Sequence, residues 1–259
     1  MRIATWNVNS LKARLPRVEE FLGYADVDVL CLQETKLSDK TFPALTFREL
    51  GYDSVHYGQG QWNGVAILSR VGIDDPAFGF GDGFSDPYEG DARLVAASCH
   101  GIRVVSVYVP NGREVDSDHY RRKLQWFDVL AEWVAKHHSP NDMLAVLGDY
   151  NVAPEDRDVW KIEAFEGATH VTDAERAAVR RLCQWGMADA FRTVYPGVDG
   201  LFSYWDYRAG DFHQHRGMRI DLALTTAPVT DRVRWAVVDR NARKGTQPSD
   251  HAPVILELD

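Results

Sequence analysis

LAVLGDYNVAP, residues 144–154, begins as an apolar run and ends in polar groups. Leu144–Leu147 have the length and composition of a buried strand. Pro154 closes the segment, because it has no N–H to give a ladder. In an extended chain, side chains two residues apart share a face. Asp149 and Asn151 are therefore expected to converge on one point, at the end of a strand. The other reading of the pair is an Asx-turn, in which the side chain bonds its own backbone two residues on.

Working outward, the same kind of run recurs. RIATWNV (2–8), VDVLCLQ (27–33), GVAILSR (64–70), LVAASCH (94–100), IRVVSVYV (102–109), MLAVLG (143–148), RIDLAL (219–224), VRWAVVD (233–239) and APVILEL (252–258) are all of strand length. Most are bounded by Gly, Pro, Asp or Asn. The runs at 93–99 and 102–109 lie close enough in sequence for a hairpin. LPRVEEFLGYA (15–25) and residues 116–138 carry helical spacing. In the second, Tyr120, Leu124, Phe127, Leu130 and Val134 mark one face. A third helix is expected over 173–186, with Asp173 as N-cap and Gly186 as C-cap. Residues 74–91, 206–217 and 240–250 read as long loops, which in compact domains are often functional. There is no linker and no sequence repeat, so the expectation is one domain, 1–259, with two packed sheets and helices outside them.

Composition narrows the class. The 259 residues are 45% hydrophobic, enough for a sizeable core, and no apolar run reaches the length of a membrane span. The start, MRIATWNVNS, lacks the apolar core of a signal peptide. Cys31, Cys99 and Cys183 have no metal-ligand spacing and leave one unpaired in any disulfide scheme. The chain reads as cytoplasmic and reduced. The net charge, 29 − 38 = −9, argues against general nucleic-acid adhesion but leaves room for a local basic face.

Polar groups stand at six strand ends. RIATW runs into Asn7 and Asn9, VDVLCLQ into Glu34, and VVSVYVPNG into Tyr108 and Asn111. Asp149 and Asn151 follow MLAVLG, Asp221 lies in RIDL, and Asp250 and His251 precede the last run. Functional groups gather on strand ends held by a rigid sheet. Each also has a plain reading: Asp221 paired with Arg219, Glu34 with Lys36, His251 as a packing residue, and Tyr108 with its hydroxyl at a rim.

WNVNS (6–10), LQETK (32–36), YVPNG (108–112), GDYNVAP (148–154), RIDL (219–222) and PSDHAPV (248–254) occur in the order found in exonuclease III-like apurinic/apyrimidinic endonucleases. The chain resembles that family, part of the endonuclease/exonuclease/phosphatase superfamily, from residue 2 to its end. The resemblance implies a four-layered α/β sandwich of two mixed sheets packed face to face. It implies Glu34 as the principal ligand of Mg²⁺ or Mn²⁺, assisted by Asn7 and Asp250, a donor set that suits a hard cation. Asp149 would orient or deprotonate the attacking water, and Asn151 would hold that water or a phosphate oxygen. His251, fixed by Asp221, would contact the phosphate, and Tyr108 would position it. The base is either Asp149 or the His251–Asp221 pair.

By the same alignment, Lys12, Arg17, Trp62 and Asn111 resemble DNA-backbone contacts, against the plain reading of KARLPR as a solvated helix start. Tyr204, Met218 and Ile220 resemble the lining of a pocket for a flipped-out abasic sugar. Met218 stands where some relatives carry an aromatic residue. Trp205 is expected in the sheet core. The implied function is a metal-dependent repair nuclease, working as a monomer on double-stranded DNA with abasic sites or 3′ ends and with no membrane partner. It would cut 5′ to abasic sites and act as a 3′→5′ exonuclease and 3′-phosphatase. The alternatives are a superfamily phosphoesterase on another substrate and a non-catalytic RNA-binding regulator. Intact Glu34, Asp149, Asn151, Asp221 and His251 argue against the last.

Overall fold

A computed structural model describes residues 1–259. Twelve strands form two six-stranded sheets. The first contains β1 (Arg2–Asn7), β2 (Val29–Gln33), β3 (Asp53–Tyr57), β4 (Val65–Ser69), β11 (Val233–Val238) and β12 (Val254–Leu258), in the order β11-β12-β1-β2-β4-β3. The second contains β5 (Asp74–Phe78), β6 (Leu94–Cys99), β7 (Ile102–Tyr108), β8 (Leu144–Asp149), β9 (Met187–Asp189) and β10 (Asp221–Thr226), in the order β5-β6-β7-β8-β10-β9.

The two sheets share one topology. Each has a central parallel pair, β1–β2 and β7–β8, flanked by antiparallel strands in matching places. Parallel neighbours need a crossover. Helix α1 (Leu11–Ala25) supplies it in the first sheet and α3 (Asp118–His137) in the second; α2 (Ala44–Glu49) packs outside the first sheet, and α4 (Asp173–Trp185) outside the second. Short α5 (Ala190–Val194) and α6 (Ala227–Thr230) flank β10. This repeat of architecture leaves no trace in sequence, because packing needs only apolar character at alternate positions.

Alternation sorts the strands into layers. In β2, Val29 and Cys31 face the other sheet, while Leu30 and Leu32 face α1 and α2. In β8, Ala145 and Leu147 face inward, while Leu144 and Val146 pack on α3 and α4. Cys31 and Cys99 join the inter-sheet core, where burial pushes both thiols up and keeps them inert. Trp205 is fully buried, as expected. No helix is long and apolar enough to cross a membrane.

Three expectations change. Residues 74–78 are not loop but the edge strand β5, which tolerates Pro76 because its register shifts there. The α4 N-cap is Thr172 rather than Asp173. Thr172 accepts from the Glu175 N–H, and Glu175 reaches back to the Thr172 N–H at 3.2 Å, a reciprocal box that Asp173 has no partner to form. On α3, Lys123 is wholly buried while Leu124 is only partly so.

Candidate active site

The polar strand exits of both sheets meet at one end of the sandwich, and sharp turns aim them. Asn7 Oδ1 accepts the Asn9 N–H at 2.9 Å, and Asn111 Oδ1 accepts the Arg113 N–H at 2.8 Å. Asp149 Oδ1 accepts the Asn151 N–H at 2.9 Å. The open question about that pair has a double answer. The extended geometry does not hold, since β8 ends at Asp149 and Asn151 turns left-handed with φ 50. The Asx-turn is real, and it is also what folds the Asn151 carboxamide back to 3.4 Å from Asp149 Oδ2. Glu34 has φ 52, another conformation uncommon outside glycine. Before Asp149, a Cβ on Gly148 would stand 1.9 Å from the Val107 carbonyl oxygen, so only glycine lets β8 close against β7.

Asn7 joins the two sheets: its Nδ2 donates to Glu34 Oε1 at 2.8 Å and to Asp149 Oδ2 at 2.9 Å. His251 lies between two carboxylates, with Nδ1 2.8 Å from Asp221 Oδ2 and Nε2 3.8 Å from Asp149 Oδ2. Ser203 Oγ donates to Asp221 Oδ2 at 2.6 Å. The backbone around His251 is pinned from two sides: the Trp6 indole donates to its carbonyl at 3.1 Å, and Ser249 Oγ accepts its N–H at 3.2 Å. Asn151 Nδ2 donates to the Val109 carbonyl at 2.9 Å, and Asn111 Nδ2 donates to Asn151 Oδ1 at 3.1 Å. The Tyr204 ring meets the imidazole edge-on, with centroids 4.9 Å apart.

Burial and neighbours drive the titrating groups apart. Desolvation pushes Asp149 up to about 7; the His251 charge and the Asn7 and Asn151 donors oppose it, and Asp221 reinforces it. For His251, burial works against the charge, but Asp221 and Asp149 outweigh it and raise the group to about 10. The imidazolium therefore presents two N–H donors at neutral pH. Burial also opposes ionisation of Glu34, yet Lys36 and the Asn7 amide hold it below the ordinary carboxylate range. Burial, with Glu34 and Asp149 nearby, keeps Tyr108 a neutral hydroxyl.

Asp149, Asp221 and His251 lie within 4.8 Å of one another. The trio is paired with itself, since His251 Nδ1 is taken up by Asp221 and its Nε2 faces Asp149. The Glu34 side fits a metal. Its donors are oxygens, its carboxylate is ionised, and the Lys36 ammonium stands 2.8 Å from Glu34 Oε2 where a cation is wanted. The Glu34–Lys36 pair expected on a surface thus exists, but Glu34 keeps only 17% side-chain exposure. Asp250 stands further out, where Oδ1 accepts from Asn9 Nδ2 at 3.2 Å.

The remaining alternatives resolve. Arg219 does not pair with Asp221. It is buried against Asp158 at 2.7 and 3.1 Å and Asp189 at 2.7 Å. Lys12 is exposed. Arg17 is committed to Glu20 and to the Lys244 carbonyl at 2.6 Å, holding the 240–250 segment on α1. Trp62, 66% exposed, borders a groove of about 480 Å³ with Glu34, Tyr108 and Asn111. Met218 and Ile220 are buried with Ala153 and Val159, with half-buried Tyr204 packed on them. The sequence reading missed the contribution of Arg14, which donates to the Asn9 carbonyl at 2.6 Å and the Tyr207 hydroxyl at 2.9 Å. It also missed Ser203 and Arg93, whose guanidinium lies 4.9 Å from the Tyr108 ring centre. No spacing signal marks these three.

Residues 4–251 match the model of the Endonuclease/Exonuclease/phosphatase family. An AP endonuclease from Archaeoglobus fulgidus superposes with a TM-score of 0.95 at 33% identity, over 100% of this chain and 99% of that one. The 3′ phosphatase NExo from Neisseria, solved bound to a product DNA hairpin, superposes with a TM-score of 0.93 at 37% identity, over 100% and 99%. Exodeoxyribonuclease III of Haemophilus influenzae is 29% identical over 269 residues, covering 100% of both chains. With its motifs, its doubled sheet topology and its converging strand exits all in agreement, the chain belongs to the Endonuclease/Exonuclease/phosphatase family as an exonuclease III-like member.

Proposed function

We propose that this protein is a metal-dependent DNA-repair nuclease that hydrolyses the phosphodiester 5′ to an abasic site and leaves a 3′-hydroxyl. It would also act at 3′ ends, as a 3′→5′ exonuclease and a 3′-phosphatase. One observation carries the reading: the buried row Asp221–His251–Asp149, linked through Asn7 to Glu34. It sets a fixed positive donor beside a carboxylate poised near neutrality, which is what in-line attack of water on a phosphodiester needs.

Asp149 would be the general base, since burial and Asp221 raise its carboxylate while the flanking carboxylates favour the protonated form of His251. His251 Nε2 donates to a phosphate oxygen, and Asp221 maintains the charge that makes this donor strong. Asn151 holds the water or the phosphate beside Asp149. Tyr108 donates its hydroxyl to phosphate, and Asn111 contacts the backbone nearby. Glu34 would hold Mg²⁺ or Mn²⁺, with the Asn7 amide orienting its carboxylate and Asp250 supporting through Asn9. The ion would neutralise charge developing on the phosphate oxygens. Tyr204, over Met218 and Ile220, would receive the extruded sugar, with Lys12 and Trp62 on the flanking backbone and Arg17 bracing the 240–250 segment beside them. The working unit would be a monomer of one domain, a reading supported by both halves of the site coming from one chain around a shared inter-sheet core.

Cleavage of abasic duplex, intact duplex, 3′-phosphorylated duplex and RNA, each with and without EDTA, tests the reading. EDTA-sensitive incision at the abasic site is expected. Cleavage of a different phosphoester alone, or RNA binding without cleavage, would overturn it.

A further inference from the structure

Beyond the groups that would touch phosphate, and besides Arg219 with Asp158, a second charged pair is buried. Lys123 and Glu175 both have 0% side-chain exposure, on facing helices α3 and α4. The Lys123 ammonium donates to Glu175 Oε1 at 2.5 Å and, on its other side, to the main-chain carbonyl of Asn151 at 2.7 Å. Both Glu175 oxygens are occupied. Oε1 also accepts from Thr169 Oγ1 at 2.5 Å, and Oε2 accepts the Thr172 N–H at 3.2 Å and Thr172 Oγ1 at 2.9 Å. The lysine stem runs under the PNG turn, where a Cβ on Gly112 would stand 3.3 Å from Lys123 Cδ and 2.5 Å from Thr169 Oγ1.

A pair that only held two helices together would need no strand exit, and apolar residues would serve as well. Its third contact falls on the residue whose backbone is left-handed. With φ 50, Asn151 occupies the left-handed region, which Asn tolerates better than most side chains but which leaves the peptide on its carbonyl side to be fixed by its neighbours. The Asx-turn fixes the N–H side of Asn151, and Lys123 fixes the carbonyl side.

We propose that Lys123, oriented by Glu175, is a positioning residue that clamps the Asn151 carbonyl and so keeps the Asn151 carboxamide against Asp149 and the Val109 carbonyl. Its kinetic consequence rests on the nuclease reading above; its structural consequence does not. Removing the clamp lets the peptide rotate and the carboxamide drift. Misplacing a reacting group by about 1 Å costs on the order of 10² in rate.

The test uses Lys123→Met with Glu175→Gln, which removes both charges together, leaves an oxygen for Thr172 and turns an amide N–H to the Thr169 hydroxyl. The expected result is a folded protein with kcat on abasic duplex reduced roughly 10–100-fold and KM within about twofold. In the Asn151→Ala background the same pair should cost less than about threefold, because Lys123 acts through Asn151. Hydrogen exchange of the Asn151 amide, read by NMR, should accelerate while the β7 and β8 amides stay protected. If the Met variant fails to fold, Lys123→Gln with Glu175→Gln carries the same measurements, since that amide is too short to reach the carbonyl. Wild-type kcat per folded molecule, a loss that multiplies fully with Asn151→Ala, or an unchanged Asn151 amide would each overturn the proposal. A wild-type chain inactive on every DNA substrate would instead sink the nuclease reading, and the amide exchange would then decide Lys123 by itself.

Discussion

At the exit of β2, Glu34 keeps part of its carboxylate in water, and Lys36 and Asn7 hold it below the ordinary carboxylate range. At the exit of β8, in the corresponding place of the other sheet, Asp149 is buried and pushed up to about 7. The strands that deliver them occupy equivalent positions in one topology. Burial presses on both; Lys36 and Asn7 outweigh it at Glu34, whereas at Asp149 burial and a second carboxylate, Asp221, outweigh the His251 charge. One scaffold used twice thus presents a permanent anion suited to a cation and an adjustable one suited to a proton. When environments push two carboxylates apart in this way, acid–base roles can be assigned.

Asp149→Asn should break the comparison most severely, leaving Glu34 with no proton acceptor opposite it. A loss of about 10²–10⁴ in single-turnover rate on abasic duplex is expected, the span of general-base contributions. A variant retaining a tenth of wild-type rate would remove Asp149 from the chemistry. Asn151→Ala and His251→Ala come next. Each deletes a preorganised donor, for about 10²–10³ in turnover with little change in DNA affinity. Near-normal rates for both, in folded protein, would dismantle the mechanism.

Asp221→Asn sharpens the comparison through His251. The histidine sits above its ordinary value, at about 10, so its charge stabilises the fold fully below about 6.5 and is lost as pH rises through 10. Without the Asp221 charge that loss should begin at lower pH, and activity should fall with it. Urea unfolding of metal-free protein between pH 6 and 10 reads the shift; overlapping curves for variant and wild type would show that Asp221 does not hold the imidazolium.

On the other sheet, Glu34→Ala should raise the Mg²⁺ concentration needed for half-maximal rate while the melting curve stays put. Normal cleavage at limiting Mg²⁺ would take the ligand role from Glu34. The mildest effect concerns salt. Neutralising about 3 to 5 phosphates gives a log–log slope of binding of about −2.7 to −4.5. A flat response would remove the basic contact face, and with Arg17 tied to Lys244, Lys12→Ala should reduce the slope more than Arg17→Ala.

The nine apolar runs were all legible as strands. The three strands missed were β3, β5 and β9, short edges whose faces carry too few buried residues to show alternation. Thr172 was readable too, as the first member of a Thr-x-x-Glu box, had the spacing to Glu175 been weighed above the acidity of Asp173. Asn9, Asn7 and Glu34 stood out because polar groups at strand ends are conspicuous. Lys123 could not, since a lysine in a helical RRK run looks solvated until α4 brings Glu175 against it.

The sequence by itself determined the strands with a buried face, which chemical groups stand at their ends, and that those groups suit a hard cation and a phosphate. Periodicity and side-chain chemistry are local, and a reader of the chain has both. Tertiary structure alone decided that Asp221 serves His251 and not Arg219, that Asp149 titrates near 7, and that Asn7 spans the two sheets. It also decided that Lys123 reaches the Asn151 carbonyl. Charge state and partnership depend on burial and on neighbours distant in sequence, and these come into being only when the two sheets close on each other.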